Sequence, residues 1–222
     1  MALPDRLIYA FDPLCGWCYG FAPVLDAVHD AHPDLPIDVC MGGLVTGERV
    51  GPYSAMRDYI KGASARMAKV TGRRLEPAFF NRLLADDSVV SSSVPPCIVT
   101  AHAREAAPDT VALLSFMREL QNAHFQRGAD YNDPQTYRDV LDAAGIAMDV
   151  PALDSTANVE AIAQEFANTR ALGINSYPSV LAQGPLNQLR PLAVEYDPDT
   201  FLARLSESPA DTLRYAMPAD GI

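Results

Sequence analysis

Two cysteines three positions apart, Cys15 and Cys18, follow the apolar run Leu7-Ile8-Tyr9-Ala10-Phe11 and precede apolar residues at helical spacing, Phe21, Val24, Leu25 and Val28. The run reads as a short buried strand and the spacing as a helix from Gly20 to Ala31, so the pair stands where a strand hands over to a helix. Cys15 falls at or just before the first turn. A helix N-terminus carries unpaired N–H groups and about half a positive charge, which favours a thiolate over a thiol. Such placement lowers a cysteine pKa from about 8.5 into a range of roughly 3.5–7.5. Cys18, one turn further in, is expected on the same face, shielded and within reach of Cys15. An exposed attacker beside a buried resolver is the geometry of a reversible dithiol–disulfide pair. A permanent bridge closing so short a loop adds little stability. A structural zinc site needs four ligands, normally as two close pairs, whereas the remaining cysteines, Cys40 and Cys97, are separated by 56 residues. Spacing therefore favours redox chemistry over metal.

With 222 residues, 49% of them hydrophobic, the chain can form one large domain, or one domain with a substantial insertion, and needs no staples. No apolar run is long enough to span a membrane. The first strand begins by residue 7, which leaves no room for a secretory signal, so the expected compartment is the cytoplasm. There, a CxxC pair is more often catalytic than structural. A net charge of −11, from 17 basic and 28 acidic residues, repels nucleic acid and anionic membranes. The nearest thing to a basic patch, Lys69 with Arg73 and Arg74, reads as the cationic end of a helix.

Beyond the first helix, Ile37–Met41 is a second apolar strand, which completes a βαβ unit with parallel pairing. Cys40 within it reads as a packed small side chain. The glycine-rich stretch Gly42–Gly47 lacks a phosphate-loop lysine and reads as a loop. Six helices are expected between Pro52 and Gly173: Tyr53 to Val70; Glu76 to Ala85; one opened by the N-cap cluster Ser91-Ser92-Ser93 and ending near Pro108; Val111 to Gln126, capped by Asp109-Thr110; Asp133 to Ala144; and one capped by Ser155-Thr156 that runs to Leu172. Cys97 falls in the first turn of the third, a position that lowers a thiol pKa, although a packed side chain is the commoner role. His124 lies on an apolar stripe with Leu113, Leu114, Met117, Leu120 and Phe125, where core is the commoner role than ligand. The chain then returns to strand over Ile174–Ala182, turns at Gly184-Pro185, and forms a weaker strand at Leu189–Leu192. A helix from Pro198 to Leu205 and another from Pro209 to Met217 close it. Pro178 fits either an edge-strand proline or a cis peptide bond, and composition leaves both open.

Taken together, strand–CxxC–helix–strand, a helical stretch, and Gly173-Ile174-x-x-Tyr177-Pro178-Ser179-Val180-Leu181 resemble the thioredoxin-fold superfamily. The long, purely helical insertion resembles its DsbA-like branch. The segment Phe11-Asp12-Pro13-x-Cys15-x-Trp17-Cys18-Tyr19-Gly20 is similar to the cytoplasmic FrnE-like disulfide isomerases. The resemblance implies an α/β thioredoxin fold from residues 1–51 and 174–222, with an all-helical insertion at 52–173 whose last helix packs with the thioredoxin part. It implies a thiol–disulfide oxidoreductase or isomerase in which Cys15 attacks and Cys18 resolves. Pro178 would be a cis-proline facing both, Tyr177 would offer its backbone to an extended substrate, and Trp17 would complete the wall. Asp12 would cap the helix or serve in proton transfer. The dipeptide Gly16-Trp17 departs from the Pro-His of exported DsbA, which implies a less oxidising pair. Exported oxidants often carry an acidic residue six positions before the first cysteine; here that position is Tyr9. Implied partners are protein or low-molecular-weight disulfides and thiols, with no metal or organic cofactor and with glutathione as a thiol co-substrate. Two further readings stand beside this one. Kappa-class glutathione transferases and hydroxychromene-carboxylate isomerases share the architecture but usually carry serine where Cys15 stands. A non-enzymatic module would bind a metal or metalloid through Cys15, Cys18 and Cys40 or Cys97, or act as a redox-regulated chaperone.

Overall fold

The strand at the head of the chain is Arg6–Phe11 (β1), and its alternation sorts side chains into two cores. Leu7, Tyr9 and Phe11 enter the main apolar cluster, while Ala10 and Ile8 pack on the other face with Ile174 and Leu181. The structure is a computed structural model that describes residues 3–206; the helix expected at Pro209–Met217 lies outside them. Helix α1 (Gly16–Ala31) follows, four residues longer at its start than its apolar spacing indicates, and then β2 (Ile37–Met41). Strand β2 pairs parallel to β1, with Leu7 opposite Ile37 and Phe11 opposite Met41. The expected βαβ unit is present.

From Gly51 to Ala171 the regular elements are helices joined by loops, apart from a short ladder between Gly51–Pro52 (β3) and a later pair of residues. Helix α2 (Arg57–Thr71) is entered through a 3-10 turn at Tyr53–Met56 and ends at Gly72, whose φ of +72° is the left-handed conformation that glycine adopts without a Cβ penalty. The helix expected over Glu76–Ala85 is irregular: α3 (Pro77–Phe79) passes into a π turn over Phe80–Leu84. Val90–Ser91 (β4) then pairs with β3; two-residue strands carry no periodicity and sequence gives no notice of them. Helices α4 (Val94–Ala106), α5 (Thr110–Phe125), α6 (Pro134–Ala144) and α7 (Thr156–Ala171) complete the expected six. Asp109, Asp133 and Ser155 each accept a first-turn N–H, an arrangement that contributes about 1 kcal/mol per helix. The serine cluster behaves otherwise. Ser91 lies in β4, Ser92 Oγ takes the Val94 N–H at 3.3 Å, and Ser93 has helical backbone angles and directs its hydroxyl elsewhere.

Strands β5 (Ser179–Gln183) and β6 (Leu189–Leu192) and helix α8 (Pro198–Leu205) finish the fold. The sheet order is β2-β1-β5-β6, with β5 antiparallel to both neighbours. The strand expected from Ile174 is therefore shorter than its apolar run. Pro178 has no N–H to give a ladder, and the Tyr177 ring is held by another element, described below. The outer edge of β2 is closed by side chains in place of a further strand. Arg104 donates to Val39 O (2.7 Å), Met41 N donates to Glu165 (2.9 Å), Thr169 donates to Met41 O (2.8 Å), and Arg104 grips Glu165 at 2.7 and 3.0 Å. Such closure removes an exposed pairing edge. One apolar cluster runs from the sheet into α1, α4, α5, α6, α7 and α8. Among the described residues no helix is long and apolar enough to cross a membrane.

Candidate active site

The β1–α1 junction sets the site. Cys15 is itself the N-cap of α1, with extended backbone angles, and its sulfur accepts the N–H of Cys18 at 3.3 Å. The cap expected of Asp12 is thus made by the cysteine. On its other side the Cys15 thiol donates to the Tyr177 carbonyl at 3.2 Å. Sequence placed Cys18 one turn away and Tyr177 more than 160 positions away, and the structure brings both onto one sulfur. The bond from Tyr177 to Pro178 is cis. Cys18 is buried, as expected, but Cys15 is only 4% exposed, so the attacker is shielded too. Burial pushes the Cys18 thiol well above its ordinary pKa, and the neighbouring Cys15 sulfur adds to the shift.

Around the sulfurs stand aromatic rings from three elements. Trp17, half-buried, lies against Tyr196 (ring centroids 5.5 Å apart), and Phe21 packs on Tyr196 (6.0 Å), Tyr9 (5.8 Å) and Phe201 (5.1 Å). Burial and then the two nearby sulfurs push the Tyr196 phenol up, and the same causes raise Tyr9. Tyr19, just past the pair, faces the inserted helices: its hydroxyl bonds Gln126 and Arg74 O, and the Arg73 guanidinium stacks 3.8 Å over its ring. Arg73 is therefore a specific cation–π partner, beyond the helix whose cationic end it was expected to form.

Asp12 is fully buried, and among the described residues no cation forms an ion pair with it. Its carboxylate accepts Leu14 N–H (2.9 Å), Leu44 N–H (2.7 Å) and the Ser93 hydroxyl (3.0 Å). Ser93 in turn exchanges two hydrogen bonds with Val45, at 2.9 Å each. One carboxylate thus ties the loop before α1, the loop after β2 and the start of α4. Burial pushes Asp12 up to about 6, and its hydrogen bonds hold back a larger rise.

Tyr177 is anchored at its other end. Its hydroxyl donates to Gly42 O at 2.5 Å, and its ring lies so close over Gly42 that a Cβ there would come within 2.3 Å of it. Gly42→Ala is therefore expected to push the ring away, draw the Tyr177 carbonyl off Cys15, and destabilise the fold by about 1–3 kcal/mol. A denaturation midpoint and an exchange rate both unchanged from wild type would contradict this anchoring.

Gln121 of α5 is a site residue that periodicity conceals. Its amide donates to Pro13 O (3.4 Å) and Cys15 O (3.3 Å), holding the loop that carries the pair. A polar residue on the stripe Leu114–Met117–His124 was the available signal. Tyr196 gave none, since it comes from a loop. The other candidates are structural. Buried Cys97 has its pKa raised by desolvation, and Cys40 is raised for the same reason. His124 donates from Nδ1 to Ala129 O (2.9 Å), so Nε2 accepts from the Tyr53 hydroxyl (2.8 Å), and burial pushes this neutral ring down to about 4. Among the described residues no three histidine, cysteine or acidic side chains are grouped to hold a metal.

Residues 6–203 match the DSBA-like thioredoxin domain. No curated protein matches the sequence significantly. Among solved structures the chain is similar to the cytosolic disulfide reductase DsbM from Pseudomonas aeruginosa, at 25% identity and a TM-score of 0.77, over 95% of this chain and 100% of that one. The same reductase with GSH aligns with a TM-score of 0.74 at 25% identity, over 94% and 99%. A protein from Nitrosomonas europaea, provisionally assigned as a protein disulfide isomerase, shares the fold at 20% identity and a TM-score of 0.73, over 97% and 100%.

Proposed function

The chain belongs to the DSBA-like thioredoxin domain family, and from that premise we propose that it reduces or isomerises disulfides through Cys15, with Cys18 as the resolving thiol. The observation that carries this is the Cys15 sulfur itself, held between the Cys18 N–H at 3.3 Å and the Tyr177 carbonyl at 3.2 Å. An N–H aimed at sulfur supports a negative charge there. The Tyr177 carbonyl has the opposite effect and can accept only while Cys15 keeps its proton. Loss of that proton frees the carbonyl to accept an N–H from a substrate in extended form. Pro178, with no N–H of its own, leaves the neighbouring space clear, and Trp17 forms the wall.

The Cys15 thiolate attacks one sulfur of the substrate disulfide, forms a mixed disulfide and expels the other sulfur as a thiolate. Cys18, once deprotonated, attacks the Cys15 sulfur and releases the second substrate thiolate, leaving a Cys15–Cys18 disulfide. No metal or organic cofactor is needed. Electrons to regenerate the dithiol would come from a thiol such as glutathione, consistent with the relative solved with GSH, or from a thioredoxin-like partner. The setting we propose is the reducing cytoplasm. In the test, Cys18→Ala is expected to accumulate a mixed disulfide at Cys15 that mass spectrometry identifies. A variant that traps nothing on Cys15 while wild type turns over would overturn the roles.

A further inference from the structure

Helix α2 borders the dithiol, and its charge is opposite in sign to that of the rest of the chain. A Cβ on Gly16 would lie 3.5 Å from the Met67 sulfur, and one on Gly20 would come within 2.6 Å of Thr71 Cγ2. Gly16 and Gly20 are four apart, as are Met67 and Thr71, so the two helices run side by side in the same direction. Leu14 and Trp17, which flank Cys15, and Ile60 of α2 all pack against the apolar cluster that holds Met67. One side of this helix pair is covered by the insertion. Tyr19 accepts from Gln126, and the Arg57 guanidinium donates to Leu84 O at 3.1 and 2.8 Å, so both point to that side. Trp17 stands two positions from Tyr19, and Tyr59 two from Arg57, each about 200° round its helix. The two rings therefore come out together on the opposite, open side. Tyr59, Ala63, Arg66 and Val70 follow at four- and three-residue spacing along that side of α2. Tyr59 and Val70 are each 55% exposed.

Residues 57–74 hold six of the chain's 17 lysines and arginines but only one of its 28 acidic residues. Lys61, Arg66 and Lys69 are exposed and, among the described residues, form no ion pair. Of these three, Arg66 is on the stripe with Tyr59, on the side where Trp17 emerges. A thiolate at Cys15, in a chain of net charge −11, repels an anionic disulfide, and a cation beside the approach reverses the field at that point. Cys15 is only 4% exposed, so a small flexible disulfide reaches it with less rearrangement than one held in a folded protein. We propose that α2 selects the substrate, with Arg66 favouring low-molecular-weight disulfides that carry carboxylates over neutral or cationic ones. The inference rests on Cys15 being the attacking thiol. Arg66 acts on the approach and binding of the disulfide, and the exchange step itself is the one already described.

The test is stopped-flow reaction of the reduced protein with dithiobis(nitrobenzoate), a dianion, with neutral dithiodipyridine and with cystamine, a dication. Absorbance follows the aromatic probes, and fluorescence of Trp17, the chain's one tryptophan, follows cystamine. Dividing each variant's rate by the wild-type rate with the same probe cancels the intrinsic reactivity of the probe. In low salt, Arg66→Glu is expected to slow the dianion roughly 5- to 20-fold, leave dithiodipyridine within about twofold and speed cystamine. The loss should shrink to about twofold in about 1 M salt, where charges are screened beyond about 3 Å. Arg66→Lys should keep most of the preference. Arg138→Glu on α6, the same change in net charge, should leave all three rates near wild type. Arg66→Glu reacting with the dianion at the wild-type rate in low salt would sink the proposal. So would equal slowing with all three probes, the mark of a packing defect, or an equal loss in Arg138→Glu, which would assign the effect to net charge. Wild type inert toward all three would instead overturn the attacking role of Cys15 and remove the premise.

Discussion

Cys15→Ser is expected to lower disulfide exchange on the order of a thousandfold or more, with little loss of stability. A nucleophile removed from a unit of cooperating groups takes nearly all of the covalent route with it, and a serine hydroxyl stays un-ionised where a thiolate is required. Stability is spared because serine is among the best N-cap residues. Its oxygen can take the Cys18 N–H that the sulfur accepts at 3.3 Å and can donate to the Tyr177 carbonyl. Cys18→Ala should differ in kind, since the first exchange step remains and only turnover is lost. Cys97→Ala, which removes a buried thiol of high pKa outside the pair, should leave exchange near wild type. The measurement is reduction of a small disulfide, read beside a thermal melt of each variant. A serine variant keeping more than about a tenth of the rate would remove Cys15 from the chemistry. If that variant also turned over a glutathione conjugate, the transferase or isomerase reading would take its place.

Much of this site is legible before any coordinates because its chemistry sits in one local motif and one distant dipeptide. Strand, CxxC and helix are sequential, so Cys15 and Cys18 follow from the period of the flanking residues. Tyr177 and Pro178 stand out as polar punctuation in an apolar run. Less legible are interactions whose partners are far apart in sequence and individually ordinary. Ser93 sits in a run that reads as a helix cap, yet its hydroxyl reaches back 81 positions to Asp12. Gly42 reads as loop, and only the Tyr177 ring lying across it shows why a side chain cannot stand there. Gln121 and Tyr196 are recognised by what they touch, the loop carbonyls before α1 in one case and the Trp17 ring in the other. The shielding of Cys15 is missed for the same reason: the N-cap position is local information, whereas the cover over it comes from the other end of the chain.

Two buried groups of opposite sense give the second large effect. Asp12 is pushed up to about 6 by burial, so the folded state binds its proton more tightly than the unfolded chain does, where a carboxyl titrates near 3.8. Its contribution to stability is most favourable below about pH 4 and declines as pH rises to about 6, by about 3 kcal/mol in all. His124 is pushed down to about 4, against 6.5 when unfolded. Its contribution is fully present above about pH 6.5 and is lost as pH falls toward 4, again by about 3 kcal/mol. Over the window from about pH 4 to 6 the two slopes oppose and nearly cancel, so neither group is visible in the wild-type stability curve. Single substitutions should unmask them. In His124→Gln, where an amide can still bond both Tyr53 and Ala129 O, stability relative to wild type should fall by about 3 kcal/mol from pH 4 to 6. In Asp12→Asn it should rise by a similar amount over the same range. Urea denaturation at a series of pH values reads these slopes, and a difference in slope is insensitive to whatever constant packing cost each substitution brings. If both variants run parallel to wild type between pH 4 and 6, neither Asp12 nor His124 has the buried, shifted ionisation that the fold gives it.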